Sequence, residues 1–378
     1  SRTVTIEQFE SGLKTLILGL GAKVIVADRI GLLWNNIQSI GFESISTPLA
    51  WMGAFAYSIE LYFDFSGYSL MALGLGQMLG FEFPKNFKHP YISKSVSEFW
   101  RRWHITLGRW FKEYVYIPLG GNRKGKARTI FNLFVVWSLT AIWHGAEGHF
   151  LIWGASLLVL LAIEKVFLLQ FLEKSKILSH IYLVLVVPLT WVAFAIADVG
   201  QLGIYYARMF PFFGVGEAIK QMDFIKYLMD YGPLFLIGII FSTPYPAAFY
   251  KVVEKKWLGS LSVIVVLVLS LYYMAVSKGD KEVSPVMKLK ETYKNGKVLN
   301  ISYYFGYVKE EPDDISPSYS KFSLLDVKGN VISSNSDILN DKGFNFSKYE
   351  KRLSVIKYVF KWNKTDKAYE LKELILEK

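Results

Sequence analysis

The sequence predicts an all-α multi-pass membrane protein followed by a small β-rich soluble domain. Apolar residues make up 52% of the 378 residues, although the net charge is +11. Long apolar stretches recur up to about residue 278, and beyond it charge becomes denser and short alternating stretches take over. We therefore expect a membrane domain at 1–278 and a soluble domain at 283–378.

Seven apolar stretches are candidates for helices that enter the bilayer. A span needs about 20 apolar residues, so several of them are short or tilted. Gly and Pro interrupt many of them, and such breaks are tolerated only where protein or a water-filled cavity covers the backbone. This pattern favours a compact helical bundle around an internal cavity. The stretches are 13–26, 49–79, 130–143, 150–169, 180–196, 234–250 and 257–275.

Positive charge is concentrated between residues 85 and 128, where eleven Lys or Arg accompany two acids. A basic segment between apolar spans is typical of the cytoplasmic side of a membrane protein. The same charge on a soluble module would indicate nucleic-acid binding, but the apolar flanks exclude such a module. The chain has no cysteine, which excludes thiol nucleophiles and disulfides.

The C-terminal stretches alternate with a period of two, as β-strands do. Lys328, Gly329 and Asn330 stand between two of these stretches. Gly beside Asn favours a tight turn, so we expect at least one hairpin there.

His144 lies between Trp143 and Gly145 in a strongly apolar segment. Polar groups at membrane depth are costly and tend to occupy reaction sites or pathways. An imidazole can take a proton from a hydroxyl near neutral pH, so His144 is a candidate general base. The alternative is a core histidine that is hydrogen-bonded to a neighbouring helix.

His104 lies in WRRWHITLGRW, whose aromatic residues recur at helical spacing. The pattern predicts an amphipathic helix with snorkelling arginines at the membrane surface. Arg101 and its neighbours could also form a cationic entrance for an anionic donor, because Arg binds phosphate or carboxylate with two parallel hydrogen bonds.

Glu60 and Asp64 are four residues apart and share a helical face. They are either an acid–base pair or, as we favour, structural partners of arginines or of backbone amides at a broken helix near Ser66 and Gly67. We predict no metal site, since His144 and His149 miss the four-residue spacing of ligands on one helical face. Gly19 and Gly21 form a lone GxG that favours helix packing over phosphate binding.

Four segments, at 9–30, 60–91, 97–123 and 142–155, resemble the membrane-bound O-acyltransferase family in its branch of alginate O-acetylation proteins. The resemblance is strong over about 4–165 and looser to about 277. It implies a funnel-shaped helical bundle with an acyl donor on the cytoplasmic side and an acceptor outside. It also implies that the chain lacks several N-terminal helices, so we expect it to be part of a longer protein.

The resemblance assigns His144 the role of catalytic histidine and His104 that of the second histidine. His144 would assist attack by a hydroxyl on an activated acyl carbonyl. Four further residues, Arg101, Trp103, Trp143 and Asp64, are candidates for substrate binding.

The implied function is transfer of an acyl group, with acetyl as first choice, to an exported polysaccharide at the bacterial cytoplasmic membrane. The donor would be acetyl-CoA or an acyl carrier, with no bound cofactor, and a secreted hydrolase-like acyltransferase would be the partner. Transfer of D-alanine to teichoic acid by the same fold stays open as an alternative. A transporter with broken helices and a non-catalytic scaffold are further alternatives.

Overall fold

The structure is a computed structural model that describes residues 4–145, 147–213, 222–254 and 256–279, together with eight strands between residues 285 and 376. It divides into two units, Ser1–Ala275 and Val276–Lys378. The predicted domain limits, 1–278 and 283–378, stay predictions.

Helices follow one another through the first part of the chain. Within the described part of the chain, three short π-helices interrupt them, Ala22–Ala27, Lys112–Tyr116 and Glu164–Leu168. The α-helices are α1 (Ile6–Gly21), α2 (Asp28–Ile40), α3 (Thr47–Met78), α4 (Val96–Arg102), α5 (Ile105–Phe111), α6 (Gly125–His144), α7 (Gly148–Ile163), α8 (Leu169–Leu172), α9 (Lys176–Ala195), α10 (Val199–Met209), α11 (Asp223–Phe241), α12 (Tyr245–Val253) and α13 (Trp257–Gly279).

Helix α3 is the centre of the bundle and contacts α1, α2, α9, α10 and α11. The predicted break near Ser66 and Gly67 is wrong, because α3 is continuous over 32 residues. Its glycines instead allow a close approach to α1: a Cβ on Gly67 would lie 2.7 Å from the Gly19 carbonyl oxygen, and one on Gly74 would lie 2.5 Å from that of Gly12. The helix-packing role expected for Gly19 is confirmed.

Among the described residues, four helical segments are long and apolar enough to cross a membrane: Gly148–Leu172, Lys176–Ala195, Asp223–Phe241 and Trp257–Ala275. The helical multi-pass membrane part of the predicted fold class is therefore confirmed. The predicted stretch 234–250 is divided between α11 and α12, because the chain turns between these two helices at residues 242–244.

In the second unit the described strands form antiparallel pairs of two, β1 with β2, β3 with β4, β5 with β6 and β7 with β8. The turn predicted at Lys328, Gly329 and Asn330 lies outside the described residues, although β3 and β4 on either side of it do pair. That these pairs form one β-rich domain stays a prediction. The strands are β1 (Pro285–Thr292), β2 (Val298–Tyr304), β3 (Leu324–Leu325), β4 (Val331–Ser333), β5 (Leu339–Asn340), β6 (Gly343–Phe344), β7 (Ile356–Asn363) and β8 (Ala368–Leu376).

Candidate active site around two histidines

His144 is the last residue of α6, and aromatic side chains hold its ring. The ring is perpendicular to Trp153 of α7 and to Phe194 of α9, with centroids 5.1 Å away in each case. A Cβ on Gly145 would lie 2.7 Å from Cε2 of Phe150. Glycine is therefore needed where α6 ends, because a larger residue would displace Phe150 from the side of the histidine.

His104 lies at a break between α4 and α5, in a left-handed conformation with φ 43° and ψ 55°. The prediction of one amphipathic helix through this residue is wrong. The Ile105 N–H donates to the Asn86 carbonyl at 2.9 Å, and the Lys88 N–H donates to the Arg102 carbonyl at 3.0 Å. These bonds from a distant loop replace helical hydrogen bonds and turn the chain at His104.

Trp143 is a neighbour of both histidines. Its ring centroid is 4.8 Å from that of His144 and 6.3 Å from that of His104. His104 also packs against Phe65 of α3, with centroids 4.8 Å apart. The structure thus brings His104 close to Trp143, which is 39 positions further along the sequence and is followed directly by His144.

A cavity of about 790 Å³ opens beside His104. Arg101, Trp103 and His104 contribute to its lining, but His144 does not. A common reaction centre for the two histidines stays a prediction, and the half-buried ring of His144 packs against Trp143, Trp153 and Phe194. Trp100 also lines the cavity, and its indole N–H has no hydrogen-bond partner among the described residues.

The cavity lining is strongly cationic. It contains no carboxylate, whereas five of its residues carry a positive side chain. An anionic ligand would not be repelled by any carboxylate of this lining. The Arg and Lys side chains would donate charge-assisted hydrogen bonds to it. The five residues are Arg101, Lys112, Arg123, Lys124 and Lys165.

A turn around Gly121 forms one wall of the cavity, and a side chain of α6 holds the backbone of this turn in place. Gly121 has a φ of 55°, in the left-handed region that favours glycine. The fully buried Asn132 donates from Nδ2 to the Gly121 carbonyl at 2.8 Å. This bond anchors the loop that carries Arg123 and Lys124.

Trp103 belongs to the aromatic cluster beneath the cavity and is only 4% exposed. It stacks on Phe99, with centroids 5.5 Å apart, and lies 5.0 Å from Trp191 and from Phe87. Its role in substrate binding stays a prediction, and its packing fixes the backbone next to His104.

Asp64 does not line the cavity. Lys23 Nζ lies 2.5 Å from Asp64 and 3.1 Å from Asp28, so it joins the π-helix to α3. This ion pair agrees with the structural alternative, although the partner is a lysine and not an arginine. Glu60 packs beside Gly31, and its Oε2 is buried without a hydrogen-bond partner among the described residues.

We expect the Lys23–Asp64 pair to stabilise the fold weakly and to leave catalysis unchanged. Its side chains are 40% and 48% exposed, and exposed pairs contribute about 0.2–1 kcal/mol. A double-mutant cycle with Lys23→Met and Asp64→Asn, followed by thermal unfolding in detergent, measures this coupling. A loss of acyl transfer of more than about tenfold in Asp64→Asn would contradict the structural role.

Glu164 was not identified from the sequence, yet it fixes the start of α4. It is 1% exposed and accepts hydrogen bonds from the Val96 N–H at 2.5 Å and the Ser97 N–H at 2.9 Å. A carboxylate at a helix N-terminus is favourable because it satisfies unpaired N–H groups and faces the positive end of the dipole. Its signal in the sequence is a single acid after a long apolar run, but its partners, nearly 70 residues away, cannot be read there.

A family model described as membrane-bound O-acyltransferase matches residues 6–205. The "Probable alginate O-acetylase AlgI" of Pseudomonas fluorescens is 43% identical over 213 residues, which cover 56% of this chain and 43% of that protein. The peptidoglycan O-acetyltransferase of Helicobacter pylori is 45% identical over 146 residues, covering 38% and 27%. The teichoic acid D-alanyltransferase of Bacillus subtilis is 30% identical over 152 residues, covering 38% of each.

The chain spans less than half the length of these curated relatives. Both histidines and the whole cavity lining lie inside the matched residues 6–205. The family match covers more than half of the chain and agrees with its helical membrane fold. The chain belongs to the membrane-bound O-acyltransferase family.

Proposed function

We propose that this protein transfers an acyl group, with acetyl as first choice, from a cytoplasmic donor to hydroxyls of an exported polysaccharide. The observation that carries the proposal is the juxtaposition of His104, Trp143 and His144, together with the cationic cavity that His104 lines. The alginate and peptidoglycan O-acetylating relatives support acetyl as the group transferred.

In the proposed step a hydroxyl oxygen of the acceptor attacks the carbonyl carbon of a thioester donor such as acetyl-CoA. A C–O bond forms and the C–S bond breaks. The neutral His144 imidazole takes the hydroxyl proton and then gives it to the leaving thiolate.

The five cations of the cavity support an anionic donor. We propose that Arg101 binds the phosphates of the donor and that the cavity faces the cytoplasm, in line with the basic segment that forms it. The acceptor would then approach His144 past Trp143, a residue that is 58% exposed.

Acyl transfer to the polymer in cells that lack the native protein tests the proposed function. Complementation with the full-length protein should restore polymer-bound acetyl groups, which are released by mild base and quantified. Restoration of D-alanine esters on teichoic acid instead would favour the second candidate function, which the Bacillus subtilis relative supports. Transport of a solute without any acyl transfer would contradict both.

Replacement of Arg101 by glutamine should raise the KM for the acyl donor. A hydrogen bond to a charged group contributes about 1.5–3 kcal/mol, so kcat/KM should fall by about 10- to 100-fold with little change in kcat. The matched control is Arg109→Gln, since Arg109 is exposed and does not line the cavity. Equal effects of the two substitutions on purified protein would contradict donor binding by Arg101.

The bacterial cytoplasmic membrane, the secreted hydrolase-like partner and a separate β-rich C-terminal domain belong to the same proposal. The antiparallel strand pairs beyond Ala275 support the last of these.

A further inference from the structure

A second, smaller cavity lies between α2 and α11, away from the histidines. Its volume is about 460 Å³, and it shares no lining residue with the histidine cavity. Six of its lining residues carry polar or charged groups, in contrast to the apolar side chains elsewhere on α11. They are Arg29, Asn36, Lys226, Tyr227, Asp230 and Tyr231.

The walls of this groove are held in place by side-chain contacts. Tyr227 and Tyr231 stack with ring centroids 6.4 Å apart, and Asn36 Nδ2 donates to the Tyr231 hydroxyl at 3.1 Å. The Arg29 guanidinium lies 4.8 Å from the ring centroid of Tyr273 on α13. Three helices therefore position the charged groups.

The groove lies close to one surface of the membrane. Helices α11 and α13 are both candidate spans, and α12 between them has nine residues, too few to cross a bilayer. The start of α11 and the end of α13 are therefore on the same side. Lys226 is three residues from the first residue of α11, and Tyr273 is two residues before the end of the span. Tyrosines are typical of this depth.

The groove has an excess of positive charge and opens on a lipid-facing helix. Among the described residues, neither Arg29 nor Lys226 forms an ion pair within 4.0 Å. Large apolar side chains of α11 next to the groove are exposed, including Leu228 at 51% and Met229 at 76%. Two cations without carboxylate partners at this depth attract the phosphates of lipid headgroups.

We propose that this groove binds a phospholipid headgroup, with Arg29 and Lys226 on its phosphate and Asp230 beside its ammonium group. Phosphatidylethanolamine carries both charges. An acidic oligosaccharide could also meet the two cations, but the separation of the groove from the histidine cavity argues against an acceptor site. The proposal does not depend on the proposed function.

Native mass spectrometry of the full-length protein in detergent, titrated with phosphatidylethanolamine, tests the site. Arg29→Gln and Lys226→Gln should each weaken lipid binding by about fivefold, and the double variant by about 25-fold. Arg29→Lys retains the charge and should retain most binding, which separates charge from folding. Lys251→Gln on α12 is the control, since Lys251 is exposed and lies outside the groove.

Unchanged lipid binding in the double variant would overturn the proposal, as would an equal loss in Lys251→Gln. An acidic oligosaccharide that displaces the lipid from the wild type but not from the double variant would reassign the groove to a sugar ligand.

Discussion

Replacement of His144 by glutamine or alanine in the full-length protein is expected to lower acyl transfer by about 10²–10⁴-fold, the usual contribution of a positioned general base. The imidazole packs edge to face against Trp153 and Phe194, which hold its ring, and beside Trp143, which is also a neighbour of His104. Glutamine keeps a polar group of similar size but cannot take a proton at neutral pH. Polymer acylation at matched protein abundance measures the loss.

The control for this experiment is His149→Gln. His149 is 4% exposed, its ring centroid is 3.9 Å from that of Phe150, and its Nδ1 lies 3.4 Å from Glu147 Oε2. These contacts hold it away from the histidine pair, so its replacement should leave most activity. Normal acylation with His144→Gln would contradict the mechanism, and loss with His149→Gln alone would identify a different base.

Replacement of Glu164 by glutamine is expected to be the most damaging change outside the histidines. The carbonyl oxygen of the amide can still accept one of the two backbone hydrogen bonds at the start of α4. Its N–H₂ group would face the other backbone N–H, which would then have no acceptor. An unsatisfied buried donor costs about 1–3 kcal/mol, and loss of the charge at the helix N-terminus adds about 0.3–1 kcal/mol. Because α4 leads directly to Trp103 and His104, acyl transfer should fall together with stability.

Thermal unfolding in detergent should show a decrease in Tm of about 5–10 °C for this variant. Glu173→Gln, at an exposed glutamate nine residues further along, should leave the Tm unchanged. An unchanged Tm for Glu164→Gln would show that the two backbone hydrogen bonds do not stabilise α4.

Local sequence signals placed His144 at the end of a helix, but they did not predict the backbone break at His104. The end of α6 follows from Gly145, which stands next to the histidine. The break before α5 depends on Asn86 and Lys88, whose backbone groups replace helical hydrogen bonds from another part of the chain. Aromatic residues at helical spacing therefore predicted one continuous helix where two exist.

The glycines and acids of α3 likewise depend on contacts with distant parts of the chain that local sequence patterns do not show. Gly67 and Gly74 predicted a broken helix because glycine has low helix propensity. The close packing of α1 overrides that preference, since it requires residues without a Cβ. The carboxylate of Asp64 could be placed on a helical face, but its partner Lys23 is set by the π-helix after α1, which no local pattern predicts.

The backbone conformation of His104 affects how substitutions there should be interpreted. A side chain in the left-handed region costs roughly 1–2 kcal/mol, and asparagine and glycine adopt it more readily than alanine does. Alanine at position 104 therefore removes the imidazole and keeps an unfavourable backbone geometry, so a defect in His104→Ala combines two causes. Asparagine is the cleaner probe. Histidine stands at a position where glycine would fold more easily, so the native side chain comes at some expense to folding.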